Sequence, residues 1–246
     1  MEELQERSIG KMAKEKNLNQ VESLIGREAD RYAADSDINE LYTNYQLLKR
    51  FFDIIGSLFA LIVFSPILLI VWLIIKISDP HDPAIFAQKR IGKDGQLFTM
   101  YKFRSMVPHA VEFLKKHPKF HKAYVENDYK FPEGEDPRVT KIDAFMRKTS
   151  IDELPQFINV LKGDMSLVGP RPVVDEELAE YGDKKEMFLS MKPGITGVWQ
   201  TSGRSSIGYP ERVDLELSYR DNHSIMFDIN ILFMTVVKVF KSEGAY

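Results

Sequence analysis

Residues Ile54–Ile75 read IIGSLFALIVFSPILLIVWLII, a run without a single charged side chain. As a helix it would reach about 33 Å, enough to cross the hydrocarbon core of a bilayer. A core helix of a soluble protein is rarely free of charge over such a length. A cleaved signal peptide fits poorly, because the run starts deep in the chain and no small-residue cleavage pattern follows it. Ser65-Pro66 stands in its middle, where proline removes an intrahelical donor and clashes with the preceding turn. Lys49 and Arg50 precede the run and Lys76 follows it, so the positive-inside tendency names neither end as the translocated one. A re-entrant helix that breaks at Ser65-Pro66 and returns to the same face satisfies both observations. A kinked full span is the alternative.

The run divides the chain into three parts: a polar N-terminal arm over 1–46, a membrane-inserted segment over 47–80, and a catalytic domain over 81–246. The arm is rich in both charge signs and reads as a solvated segment or as an interaction arm for a partner. A formal charge of -3 over 246 residues offers no basic field for nucleic acid. The absence of cysteine excludes disulfides, thiolate nucleophiles and cysteine-ligated zinc. Only one segment is long and apolar enough to insert deeply, which disfavours a protein of many spans.

Beyond the membrane segment, residues 84–87 and Leu97 to Phe103 have the pattern of a hairpin turned by Gly92-Lys93-Asp94-Gly95. Residues 109–135 read as a polar surface insertion, and His117 and His121 within it do not form a convincing zinc set. Helical periodicity returns at Ile142, Phe145 and Met146, and again at Leu154, Phe157, Ile158 and Leu161. Val198 to Thr201 reads as a short strand. Ile225 to Phe240 is an apolar helix that either lies on a membrane surface or packs as a core helix.

The densest chemistry lies in RKTSIDELPQFINVLKGDMSLVGPRP, residues 147–172. Asp152-Glu153 precedes a helix whose Pro155 suits a helix start, so the dyad meets the positive end of a helix dipole. Adjacent acids can divide labour, one attacking phosphorus while its neighbour helps hold a hard cation. A capping box is the plainer explanation, because Ser150 and Glu153 have the S-x-x-E spacing. Gly169-Pro170-Arg171-Pro172 fixes an arginine between two prolines, a guanidinium suited to phosphate oxygens. Lys102 and Arg104 share one strand face. Arg147 and Arg204 add charge, and residues 193–197 supply close-approach backbone. An acidic dyad, several cations and a membrane anchor suggest a diphosphate ester handled at a lipid surface.

These segments, with KRFFDIIGSLFALIVFSPILLI, QKRIGKDGQLFTMYKFRSM, MKPGITGVWQTSGR and the closing EGAY, resemble the bacterial sugar transferase family, the monotopic polyprenyl-phosphate phosphoglycosyl transferases. The likeness runs from about Lys49 to Tyr246. It implies an α+β, mainly helical fold, with a compact cytosolic domain carrying a short hairpin and anchored by a re-entrant membrane helix broken at Ser65-Pro66. It implies Asp152 as the nucleophile that forms a phosphosugar intermediate, Glu153 as its partner, and both acids as the site of Mg2+. Lys102, Arg104, Arg147, Arg171, Gln200 and Arg204 become the expected substrate-binding set. The expected partners are a UDP-sugar, a polyprenyl phosphate and membrane lipids. Homodimerisation and association with glycosyltransferases are left open. The expected location is the cytoplasmic face of the bacterial inner membrane, and EGAY hints at galactose or glucose. The chain departs from the family at Leu215-Glu216-Leu217-Ser218-Tyr219, where an L-D-x-Y-Y pattern is usual. A membrane-anchored scaffold without activity is the competing reading, and it leaves the rigid Arg171 loop without a purpose.

Overall fold

The computed structural model describes residues 43–126, 131, 134–203 and 207–241. Most of the polar arm, Arg204 and the closing EGAY lie outside the described residues.

Helix α1 runs from Thr43 to Ser78. Its most apolar stretch has a mean hydropathy of 3.0, yet only 11% of that stretch is buried. A core helix of this composition would be covered. Phe59 and Ile62 are 68% and 71% exposed, and an unpaired apolar surface this long has bilayer rather than water as its natural solvent. Helical structure continues through Ser65-Pro66, so the expected break does not end the helix. The physical reason lies one turn back. Pro66 lacks the N–H that would bond the Ile62 carbonyl, and the Ser65 hydroxyl donates to that same carbonyl at 2.8 Å. Past the last turn, Lys76 Nζ donates to the carbonyls of Pro80 and Asp82 at 2.9 and 3.0 Å.

Both ends of α1 are fastened to the rest of the domain. Arg50 donates from Nη2 to the Leu161 carbonyl at 2.8 Å and from Nη1 to that of Val160, a cation on the last carbonyls of a short helix. Asp53 is buried and accepts from the Ser166 hydroxyl at 3.0 Å and the Leu167 N–H at 2.9 Å. Gly56 leaves room for Leu167, whose Cδ1 would stand 2.7 Å from an added Cβ. At the far end Val71 and Ile75 share a buried cluster with Ala84, Phe103 and Met146.

The hairpin appears as expected. Strand β1 (Ile85–Ile91) pairs antiparallel with β2 (Leu97–Phe103), from Ile85 opposite Phe103 to Ile91 opposite Leu97. The insertion folds as α2 (Ala110–Lys116) and α3 (Pro118–Glu126), and α4 spans Lys141–Lys148. A 3₁₀ turn at Ile151–Glu153 leads into α5 (Gln156–Lys162), which stops at Gly163 with φ 93, a left-handed conformation that glycine adopts without penalty. The apolar stripe of α5 does not face the core: Ile158 is 43% exposed, while Gln156, Asn159 and Val160 are buried. Asn159 is drawn inward because its amide bonds the edge of β2, donating to the Thr99 carbonyl at 2.7 Å and accepting from the Tyr101 N–H at 3.0 Å. A side chain thus occupies edge groups that a third strand would otherwise take.

A second, parallel pair joins β3 (Ser166–Val168) to β4 (Gly194–Thr196). Between them lie α6 (Asp175–Leu178) and α7 (Lys185–Leu189). Val198–Ser202 is a helix, α8, and not the expected strand. Four residues cannot separate the two periodicities, and here the Thr201 hydroxyl bonds back to the Gly197 carbonyl at 3.0 Å, closing a helical turn. Helices α9 (Glu211–Asn222) and α10 (Ile225–Lys241) complete the fold. Helix α10 buries Asp228 and Ile231 but leaves Met226, Ile229, Phe233 and Val236 exposed.

Candidate active site

The dyad sits in the 3₁₀ turn just ahead of α5. It does not serve as a cap. Ser150 makes no side-chain cap hydrogen bond, and Glu153 Oε1 accepts from Lys102 Nζ at 2.6 Å. The capping box of this region belongs to α4, where Thr140 and Asp143 exchange hydrogen bonds at 3.1 and 3.2 Å.

Asp152 is buried, 7% exposed. A single side-chain hydrogen bond to its carboxylate is formed among the described residues, from the Ser105 hydroxyl at 3.4 Å. Burial first, and the adjacent Glu153 charge second, push its carboxyl up to about 6, against the pull of Lys102 and Arg147. A carboxylate with so few donors keeps free lone pairs and the nucleophilicity that goes with them.

Beside the dyad opens a cleft lined by Arg90, Lys102, Glu153, Gln156, Arg171 and Gln200, with Met100, Pro172, Gly194 and Ile195. Strand geometry explains the first wall. Phe98, Met100 and Lys102 share one face of β2. Phe98 and Met100 pack inward, and Lys102 extends that face to the cleft. Arg90 lies directly across from Phe98 on β1 and so presents to the same side. The opposite wall is a close backbone crossing. A Cβ on Gly194 would stand 2.1 Å from the Gly169 nitrogen, and one on Gly197 would stand 2.1 Å from the Gly169 oxygen. These glycines are there for space, and they let the Gly169–Pro172 loop lie flat against β4.

The expected residues therefore divide. Glu153, Lys102, Arg171 and Gln200 meet at the cleft, with Asp152 buried in the same turn as Glu153 and Arg147 acting on Asp152 through its charge. Arg104 is directed elsewhere: past the end of β2, its Nη1 pairs with Asp79 at 2.9 Å and Asp82 at 3.5 Å, fastening the exit of α1. Arg204 lies outside the described residues. Two buried polar atoms at the cleft, Arg90 Nε and Gln200 Oε1, have no hydrogen-bond partner among the described residues. Such atoms cost about 1–3 kcal/mol each unless a ligand meets them.

The family model for bacterial sugar transferases matches residues 44–242. The chain belongs to the bacterial sugar transferase family. It is 46% identical over 204 residues to the undecaprenyl-phosphate galactose phosphotransferase of Salmonella typhimurium, a match covering 82% of this chain and 42% of that protein. It is 41% identical over 211 residues to the UDP-glucose:undecaprenyl-phosphate glucose-1-phosphate transferase of Escherichia coli, covering 82% and 42%. It is 40% identical over 201 residues to the exopolysaccharide production protein ExoY of Rhizobium meliloti, covering 81% and 88%. The chain thus spans less than half the length of the galactose and glucose phosphotransferases and most of the length of ExoY.

Reading the sequence missed three parts of this site. Arg90 was legible, since alternation along β1 and pairing with β2 put it on the Lys102 face. Ser105, and Glu216, which is buried and accepts from the Arg171 N–H, were not, because they meet the site only through tertiary packing.

Proposed function

We propose that this transferase moves a sugar 1-phosphate from a UDP-sugar to a polyprenyl phosphate such as undecaprenyl phosphate, releasing UMP, as a first membrane step of exopolysaccharide, capsule or other glycoconjugate synthesis. The observation that carries the reading is the buried, sparsely bonded Asp152 beside a cleft walled by Lys102, Arg90 and Arg171. An Asp152 oxygen attacks the β-phosphorus of the donor. The phosphorus–oxygen bond to UMP breaks, and UMP leaves with the bonding electrons. A phosphate oxygen of the lipid then attacks the same phosphorus and returns the carboxylate. Arg171 and Arg90 hold the diphosphate, and Lys102 pairs with Glu153 beside it.

Among the described residues no cluster of three or more acidic, histidine or cysteine side chains is placed to hold a metal ion. Two adjacent carboxylates nonetheless suit Mg2+, which is commonly held by one or two carboxylates together with substrate phosphates. Asp152 and Glu153 would hold it. Bound there, it would screen phosphate charge and stabilise the leaving group.

The domain works at the cytoplasmic face of the bacterial inner membrane, where a soluble nucleotide sugar meets a lipid phosphate. Contacts of α1 support a helix that turns back toward that face. A straight helix would separate Arg50 from Ile75 by about 37 Å. Arg50 bonds Val160, whose neighbour Asn159 bonds Tyr101, and Ile75 shares a cluster with Phe103, about 7 Å further along the strand. The exposed apolar sides of α5 and α10 would rest at the lipid surface. Cysteines placed at Ser36 and Lys89 should both react with a membrane-impermeant thiol reagent from the cytoplasmic side alone. Labelling from opposite sides would establish a full span.

The activity is tested by incubating detergent-solubilised protein with undecaprenyl phosphate and UDP-galactose, UDP-glucose or other UDP-sugars. UMP should accumulate with one of them and only with lipid acceptor present. Release of UDP instead, or of free sugar phosphate, would defeat the reading.

A further inference from the structure

The Arg171 loop is held from beneath by a carboxylate that the chemistry above does not use. Pro170 and Pro172 have no backbone N–H, so Arg171 supplies the only backbone donor of residues 170–172. That N–H donates to Glu216 Oε2 at 3.1 Å. Glu216 is 1% exposed on α9. It also accepts from the Tyr181 hydroxyl at 3.1 Å and from Arg212 Nε at 2.9 Å. The Arg212 guanidinium stands 4.3 Å from the centre of the Trp199 ring, and that of Arg171 stands 5.5 Å from the centre of the same ring. Glu216 therefore reaches Arg171 twice, through its backbone and through the Arg212–Trp199 stack.

Stability alone does not explain such a group. A buried ion pair replaced by well-packed apolar residues is often neutral or even more stable. What no apolar residue can do is accept the Arg171 N–H. We propose that Glu216 is a positioning residue that sets Arg171 toward the diphosphate of the nucleotide-sugar donor, an inference that rests on the transferase reading above. The glutamate arm carries both carboxylate oxygens to three donors.

Glu216→Gln keeps the shape but turns an N–H2 toward one of those donors. With the UDP-sugar that the wild-type enzyme uses, its KM for donor should rise about tenfold while the KM for undecaprenyl phosphate stays unchanged. In an Arg171→Ala background the same substitution should add little, because the group it positions is gone. Glu216→Asp keeps the charge and should shift the donor KM in the same direction by less; it replaces Glu216→Gln in the cycle if that variant does not fold. A role confined to stability would lower the melting temperature and the active fraction, leave the donor KM alone, and combine multiplicatively with Arg171→Ala. That result, in an enzyme whose wild type turns over, would overturn the positioning role only. A wild type that releases UMP from no UDP-sugar would overturn the transferase reading and this inference with it.

Discussion

Two buried carboxylates, Asp152 and Glu216, have opposite surroundings. Asp152 has one long hydrogen bond, at 3.4 Å, from Ser105. Glu216 has three donors within 3.1 Å. Burial raises the carboxyl of each on balance; at Glu216 the Arg212 charge and its hydrogen bond oppose that rise, whereas at Asp152 the next largest influence, Glu153, adds to it. A saturated carboxylate fixes geometry, and one left short of donors keeps lone pairs for chemistry.

The largest effect that sharpens this contrast is at Asp152. Asp152→Asn should lower turnover on the order of a thousandfold or more, and in the wild type kcat/KM should fall as pH drops through about 6, where Asp152 takes up its proton. The same substitution should stabilise the fold. Because the folded carboxyl titrates at about 6 rather than 3.8, its contribution to stability is full below the lower value and is lost as pH rises through the upper one. At pH 7.5 the ionised group therefore weighs against folding by up to about 3 kcal/mol, and asparagine removes that weight. Glu216→Gln should instead destabilise, by about 1–3 kcal/mol, because its amide cannot accept from all three donors that the carboxylate meets. Thermal melts of both variants in chelator at pH 7.5 check the opposite signs; shifts of the same sign would erase the distinction drawn between the two sites.

A smaller loss is expected at Glu153. Glu153→Gln keeps the turn but frees Lys102 and removes a charge from the cleft, and turnover should fall about ten- to a hundredfold. Activity within a few-fold of wild type would leave Glu153 a merely structural acid. Smaller still, Arg171→Lys should cost roughly tenfold in kcat/KM, since lysine lacks the planar fork. Unchanged kinetics there would mean that a point charge suffices.

How much of this was legible beforehand follows the range of the forces involved. The α1 run, the β1–β2 hairpin and the Gly163 stop are local patterns, written in consecutive residues. The dyad and the Arg171 loop are local as well, which is why Asp152, Glu153, Lys102 and Arg171 were within reach of the sequence. Arg104 misled because strand alternation was carried past Phe103, where the strand ends and Asp79 claims the guanidinium. The stripe on α5 marks a helix without saying what its apolar side faces. Beside a helix like α1, an exposed face such as that of Ile158 suits lipid, and Asn159 turns inward to serve β2 instead. Glu216 could not be placed from its neighbours, since each of Arg171, Tyr181 and Arg212 acquires meaning only once they converge.

The most direct measurement is intact-protein and peptide mass spectrometry after brief incubation with the turned-over UDP-sugar and Mg2+, without lipid acceptor. A covalent mechanism gives one sugar phosphate per chain on the peptide containing Asp152, with an equal amount of UMP. The adduct is discharged on adding undecaprenyl phosphate and is absent from Asp152→Asn. Full turnover with no adduct at any quench time, or an adduct that persists in Asp152→Asn, would contradict the assignment of Asp152 as the nucleophile.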